Sequence, residues 1–361
     1  MHSQSNPKRI LLQMLLPIGD TLFTTPSISA LRKRYPDAEI TAVVYPTNRG
    51  ILNNNPDIDR FLFWPTRRHW PGLPRVLTLF WDLRRTHFDL AVEFSNYNWW
   101  VSWLSGIPRR TEMNLPHFWW ALPWAGREWR THHAVEHYTG PVRRLGIPVD
   151  DLALRIFPTE QDETKAQAWL DGHKVEPGEL LVGIHPGGEG LWGRKKWSVA
   201  RFAEVADGLS DSVGARILIM GGKDDAPAAA EIASLTSAAI INATGQTTLG
   251  ETAALARRCA LFIGSDSSPL HIAAASGTPV VGIYGPTDPR SYHPWIPGGV
   301  EGIDYAVVRS DLPCACKFPL VGGTTIAGFF TCLSCPSLES ITSSQVLDAA
   351  MRLLEAGENG K

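Results

Sequence analysis

No run of 18 consecutive apolar residues occurs in this 361-residue chain, which excludes a membrane-spanning helix. Cysteine is scarce, with five residues. The start KRILLQMLLPIGD has the basic and apolar order of a signal peptide, but its apolar run is short and no small-x-small cleavage site follows. It reads instead as a first buried strand, and the chain is expected in a reducing cytoplasm, where disulfides do not persist. Neither charge sign dominates: 34 Lys and Arg stand against 36 Asp and Glu, a net charge of −2, which argues against a nucleic-acid partner. A working ATP-hydrolysing loop is also missing. In GGEGLWGRK, Gly188 and Gly193 keep the four-residue gap, but Arg194 stands where lysine is required and no Ser or Thr follows in place. A composition of 44% hydrophobic and 19% charged residues excludes disorder and fits a soluble globular protein.

What is present is a repeated alternation of short apolar strands and helices. The length suggests two domains of roughly 150 to 180 residues. Ile10 to Leu16 reads as a strand, Pro17-Ile18-Gly19-Asp20 as a turn, and Thr24-Thr25-Pro26 as the opening of a helix. Glu39 to Val44, Asp57 to Phe63 and Phe88 to Phe94 read as further strands, which argues for a parallel sheet wound on both faces. Ligands of such sheets sit beyond the carboxyl ends of the strands, where Gly19 and Asp20 fall. The expected organisation is a first domain over 1–157, a polar and mostly helical linker over 158–178, a second domain over 179–342, and a terminal helix and tail over 343–361.

The second half is organised around GSDSSPLHIAAASGTPVVGIYGPTDP, Gly264 to Pro289. A strand from Ala260 to Gly264 breaks at Asp266-Ser267-Ser268, and a helix restarts with Ser268 as cap and Pro269 at its first position. A strand from Pro279 to Tyr284 follows. Free N–H groups and the positive dipole end at that helix start suit a diphosphate, with Ser267, Ser268 and His271 adding side-chain donors. An ordinary capped helix is the alternative. Arg194, Lys195 and Lys196 precede another helix and offer either a clamp for a leaving diphosphate or a solvated surface. Asp224, just past the strand RILIM, has the position of a ribose-binding acid.

Two further patterns need an explanation. Between Arg60 and Arg144 there are twelve arginines, no lysine and six acids, together with ten of the fourteen tryptophans. That mixture suits anionic lipid headgroups, nucleic acid or a phosphorylated glycan; a Trp-rich core beneath a basic face is the plainer reading. Cys314-x-Cys316, fifteen residues, then Cys332-x-x-Cys335 is a four-thiolate set compatible with structural zinc, an iron–sulfur site, or unconnected loop cysteines. Cys259 reads as core.

Three ordered segments resemble the glycosyltransferase family 9 heptosyltransferases, which build the lipopolysaccharide inner core. They are IGDTLFTTPSISALRKRYPDAEI with its Gly-Asp loop, KKWSVARFAEVADGL with a Lys-x-Trp helix start, and the Gly264 to Pro289 stretch with its Gly-Pro-Thr-Asp-Pro loop. The resemblance spans nearly the whole chain. It implies an α/β GT-B fold, two Rossmann-like domains facing across a cleft, and inverting transfer of heptose from ADP-heptose to a Kdo-lipid A type acceptor. By motif position, Asp20 would be the general base, Lys196 a cation on the diphosphate, and Asp224 the ribose acid. Asp266, Ser267, Ser268 and His271 would form the phosphate-side cradle, with no metal required for catalysis. Arg109 and Arg110, in the Arg and Trp region, would hold the lipid-linked acceptor at an anionic inner-membrane surface. Ser268 replaces the glycine usual in the family, and Met14-Leu15-Leu16-Pro17 lacks its upstream arginine. A relative using another nucleotide sugar, or a non-catalytic sugar-nucleotide or glycan-binding module, would share these segments; only an enzyme would depend on Asp20 for turnover.

Overall fold

Apolar runs rich in Ile, Leu and Val, too short for helices and bounded by polar turns, form the centre of two parallel sheets, as expected for strands buried on both faces. The structure is a computed structural model describing residues 6–64, 73–95, 99–111, 132–187, 195–312 and 335–359. It divides into two units, Met1–Phe157 and Pro158–Lys361.

In the first unit the strands are β1 (Arg9–Met14), β2 (Glu39–Val44), β3 (Arg60–Phe63), β4 (Leu90–Glu93) and β5 (Arg109–Thr111), in the order β3-β2-β1-β4-β5. All pairings are parallel. The helices are α1 (Ile18–Phe23), α2 (Thr25–Arg34), α3 (Arg49–Leu52), α4 (Leu73–Thr86), α5 (Trp99–Leu104) and α6 (Ala134–Arg143). Leu11, Leu15, Val43 and Ala91 from the sheet bury against Leu79, Leu83 and Val101 of α4 and α5. The edge strand β5, only three residues long, has no run of alternation to announce it in the sequence.

The second unit begins earlier than the sequence suggests. Residues 158–178, expected as a linker, carry α7 (Glu160–Gly172), opened by a capping box in which Thr159 and Asp162 satisfy each other's backbone donors. Ala166 and Leu170 are buried in the core of this unit. Lys165 and Glu163 reach Glu251 and Arg258 at 3.2 and 2.6 Å. Buried apolar contacts and ion pairs make α7 part of the unit it precedes.

Six parallel strands follow: β6 (Leu181–His185), β7 (Arg216–Ile219), β8 (Ile240–Asn242), β9 (Leu261–Ser265), β10 (Val280–Tyr284) and β11 (Tyr305–Arg309). Their order is β11-β10-β9-β6-β7-β8, so the winding reverses between β6 and β9. A crevice beyond the carboxyl ends of strands at such a reversal is where open α/β sheets hold ligands. The helices are α8 (Val199–Val213), α9 (Ala226–Leu235), α10 (Leu249–Ala256), α11 (Ser268–Ala275), α12 (Pro289–Tyr292), α13 (Pro336–Ser340) and α14 (Ser343–Asn359). The terminal helix α14 contributes Val346, Ala349, Ala350 and Leu353 to the core shared with α8. Among the described residues no helix is long and apolar enough to cross a membrane.

Candidate functional site

The reversal point of the second sheet collects side chains from four separate segments. His185 ends β6, Ser265 ends β9, and Asp266 and Ser267 fill the turn into α11. The helix begins at Ser268 with Ser267 at the cap position, one residue before the cap expected from sequence. Ser267 does not cap through its side chain. Its Oγ lies 2.9 Å from both the Ser265 carbonyl and His185 Nδ1. The helix-start N–H groups are therefore not taken up by the residue best placed to do so.

Asp266 is the electrostatic centre. Lys195 Nζ lies 2.6 Å from its Oδ2, and His271 Nε2 lies 3.2 Å from its Oδ1. Burial alone would raise the pKa of this carboxyl, but the Lys195 ammonium and His271 hold it well below the usual carboxylate range. An ammonium has three donors, of which Asp266 takes one. The pair thus fixes a cation beside the start of α11. The sequence reading put Lys196 there, whereas the structure brings Lys195. The signal was available: in Lys195-Lys196-Trp197 the first lysine carries the Lys-x-Trp spacing, and the buried Trp197 donates to the Ile341 carbonyl at 3.0 Å, anchoring the segment. His271 is buried on Asp266, in the second layer of the turn.

Beyond β7, Asp224 is exposed in the short turn Lys223–Asp225, at the strand end where a ribose acid belongs. Its neighbour Asp225, not singled out from sequence, turns inward. Asp225 Oδ2 accepts from the Gly222 N–H at 2.7 Å and lies 3.3 Å from His185 Nε2. A β-carbon on Gly221 would collide with that carboxylate, so glycine is what lets Asp225 fold back. Burial opposes its ionisation, but His185 and the Gly222 N–H hold its pKa below the ordinary value, with Lys196 adding a smaller push in the same direction. At the end of the β6 loop Gly187 takes φ +84°, a left-handed conformation that side chains disfavour.

In the first unit Asp20 lies in the first turn of α1, beyond the carboxyl end of β1, where the helix dipole favours a carboxylate. The turn is pinned by Asn48, whose Nδ2 donates to the Leu16 carbonyl at 2.6 Å and to Thr21 Oγ1 at 2.7 Å. Tyr138 of α6 donates its hydroxyl to Asp20 Oδ1 at 2.9 Å. No local pattern connects two residues 118 positions apart. Arg109 and Arg110 are not brought to Asp20. They lie in β5 opposite Leu90 and Ala91, at the amino end of β4, and Arg110 donates to the Ile107 carbonyl at 2.8 Å.

Of the four-cysteine set, Cys314, Cys316 and Cys332 lie outside the described residues, and Cys335 is buried. Among the described residues no group of three or more His, Cys, Asp or Glu is arranged to hold a metal. Cys259 is core as expected, its thiol pushed up to about 12 by burial.

The sequence model of glycosyltransferase family 9 (heptosyltransferase) matches residues 76–306. Lipopolysaccharide heptosyltransferase 3 of Escherichia coli K12 is 31% identical over 294 residues, spanning 77% of this chain and 82% of that protein. A glycosyl transferase family 9 structure from Veillonella parvula superposes with a TM-score of 0.79 at 23% identity, covering 96% of this chain and 97% of that one. The Escherichia coli ADP-heptose lipopolysaccharide heptosyltransferase II gives a TM-score of 0.72 at 22% identity, covering 97% and 99%. These two likenesses carry the fold, a GT-B architecture of two Rossmann-like units. The family model runs from α4 to β11 across both of them, and on that match together with the 31% relative the chain belongs to glycosyltransferase family 9, the heptosyltransferases.

Proposed function

We propose that the protein transfers heptose, with inversion, from ADP-heptose to a lipopolysaccharide inner-core acceptor. The observation that carries this reading is the start of α11, where Lys195 is fixed by the buried Asp266 beside helix N–H groups that the Ser267 side chain does not cap. Such a site stabilises the charge that develops on a leaving diphosphate. Asp224 would bind the ribose, and Ser267 and Ser268 would face the phosphates. Lys196 would add to the positive field beside Asp225. The 31% identity to lipopolysaccharide heptosyltransferase 3 supports the substrate class.

Asp20 would act as the general base. A carboxylate is far too weak to deprotonate a sugar hydroxyl in the ground state. It takes the proton late, once the acceptor oxygen has begun to bond to the oxocarbenium-like carbon, an effect worth about 10²- to 10⁴-fold. Tyr138 would hold one carboxylate oxygen in place. Inversion requires the base and the diphosphate on opposite faces of the transferred sugar.

The lipid-linked acceptor and an anionic membrane surface would be met by the Arg and Trp region. Leu77, Trp81, Trp103 and Leu104 are exposed on α4 and α5, and the Arg85 guanidinium lies 4.6 Å above the Trp81 ring. Apolar anchors beside cations suit such a surface. Arg109 and Arg110 would add positive charge to the same unit. Cys314, Cys316, Cys332 and Cys335 have the number and spacing to hold a structural zinc.

The test is product formation from ADP-heptose and a Kdo-lipid A acceptor. Asp20→Asn is expected to lower kcat by about 10²- to 10⁴-fold with little change in donor KM. An unchanged kcat would remove Asp20 from the chemistry. Absence of product with wild-type protein across nucleotide sugars would favour a binding module.

A further inference from the structure

Two buried side chains of the second unit, His185 and Asp225, form with the part-buried Ser267 a chain whose protons the transfer chemistry above leaves unused. Gly222 N–H fixes Asp225, Asp225 Oδ2 lies 3.3 Å from His185 Nε2, and His185 Nδ1 lies 2.9 Å from Ser267 Oγ. The chain starts beyond β7, passes through the last residue of β6 and ends at the cap position of α11. His185 and Asp225 are removed from water, so a proton between them has few places to go, while Ser267 is part-buried at the open end of the chain.

The Ser267 hydroxyl has one proton and two acceptors at 2.9 Å, His185 Nδ1 and the Ser265 carbonyl. The Asp225 carboxylate requires a proton on His185 Nε2. If His185 is neutral, Nδ1 carries a lone pair and takes the Ser267 proton, leaving only serine lone pairs at the helix start. If His185 is protonated, Nδ1–H donates to Ser267 Oγ, and the serine proton is released to point at Ser265 or at an anion. A phosphate oxygen repels the first arrangement and accepts from the second.

We infer that His185 is a positioning residue that turns Ser267 into a hydrogen-bond donor toward the donor diphosphate, so that binding the nucleotide sugar takes up a proton from solvent. The inference rests on the reading that the diphosphate lies at the start of α11. Because anion binding and His185 protonation favour each other, affinity is expected to fall as pH rises. Asp225 faces His185 directly, Lys196 acts on Asp225, and the Asp266, Lys195 and His271 group occupies the next layer of the same turn. ADP-heptose is the suitable probe because both its phosphates are esterified and keep their charge across this range.

Calorimetric titration of the full chain with ADP-heptose, in two buffers of different ionisation enthalpy at pH 7, counts the protons exchanged. Wild type is expected to take up a fraction of one proton. His185→Gln and Ser267→Ala should lose that uptake and flatten the pH dependence, while Ser267→Thr, which keeps the hydroxyl, should retain both. If His185→Gln fails to fold, Ser267→Ala carries the test. Wild type that binds without proton uptake, or uptake that persists in both variants and so belongs to His271, overturns the inference and leaves the transferase reading standing. Wild type that does not bind ADP-heptose at any pH overturns that reading and this inference with it.

Discussion

Replacing each partner of the Lys195–Asp266 pair in turn tests which of the two charges the fold depends on. The Asp266 side chain is 5% exposed and that of Lys195 24%. Lys195→Met therefore strands the more deeply buried charge. Removing one partner of a buried pair costs about 3 to 5 kcal/mol, and the surviving His271 contact at 3.2 Å puts this case near the lower end, at about 3 kcal/mol. Asp266→Asn keeps the shape and leaves an ammonium that can turn to water, so the loss is that of one charged hydrogen bond, about 1.5 kcal/mol. At roughly 2 to 4 °C per kcal/mol for a unit of this size, the expected falls in Tm are about 6 to 12 °C and about 3 to 6 °C. The pH sign follows from the folded pKa lying below the unfolded one. In wild type the carboxylate's contribution is fully present above the unfolded value near 3.9 and is lost as pH falls through the lower folded value. Without Lys195, burial pushes the carboxyl upward, so the Lys195→Met deficit should shrink as pH is lowered from 7 to 5. Thermal and urea unfolding at both pH values reads this directly. An Asp266→Asn variant as unstable as Lys195→Met, or a Lys195→Met deficit that does not shrink in acid, would refute the assignment of Asp266 as the charge at risk.

Other consequences are open to measurement. Tyr138→Phe removes a hydrogen bond to a carboxylate and should lower kcat about tenfold with donor KM unchanged; a normal kcat would show that Tyr138 does not position the base. The double change Trp81→Ser and Trp103→Ser should reduce co-sedimentation with anionic liposomes by several-fold, with a smaller loss for Arg109→Ser with Arg110→Ser; unchanged sedimentation of both would end the membrane proposal. Elemental analysis of protein purified without added metal should find about one zinc per chain, lost in Cys332→Ser; less than about half an equivalent in wild type would mean free thiols. Lys195→Met should also raise the Kd for ADP-heptose at least tenfold, since the cation at the helix start is gone; an unchanged Kd would place the diphosphate elsewhere.

Much of the architecture was legible because it is local. The strand-length apolar runs at Ile10, Glu39 and Leu181 and the turn at Asp266 to Ser268 show in the order of residue types, since burial on both faces of a parallel sheet demands continuous apolar strands. Boundaries moved by a residue or two, as at Ser267, because helix ends are set by cap geometry. Residues 158–178 have the polar composition of a linker and the helical content expected of them, yet two buried residues and three ion pairs dock α7 on the second unit.

The sequence by itself determined the alternation of strand and helix, the Gly-Asp turn carrying Asp20, and the polar break ahead of α11. Only the tertiary structure decided which side chains meet there. Lys195 and Asp266 are 71 residues apart, His185 and Asp225 are 40, and Tyr138 and Asp20 are 118. The first two encounters depend on strand order and register, which place the ends of β6, β7 and β9 side by side, and the third on α6 packing beside α1; no spacing along the chain encodes either placement.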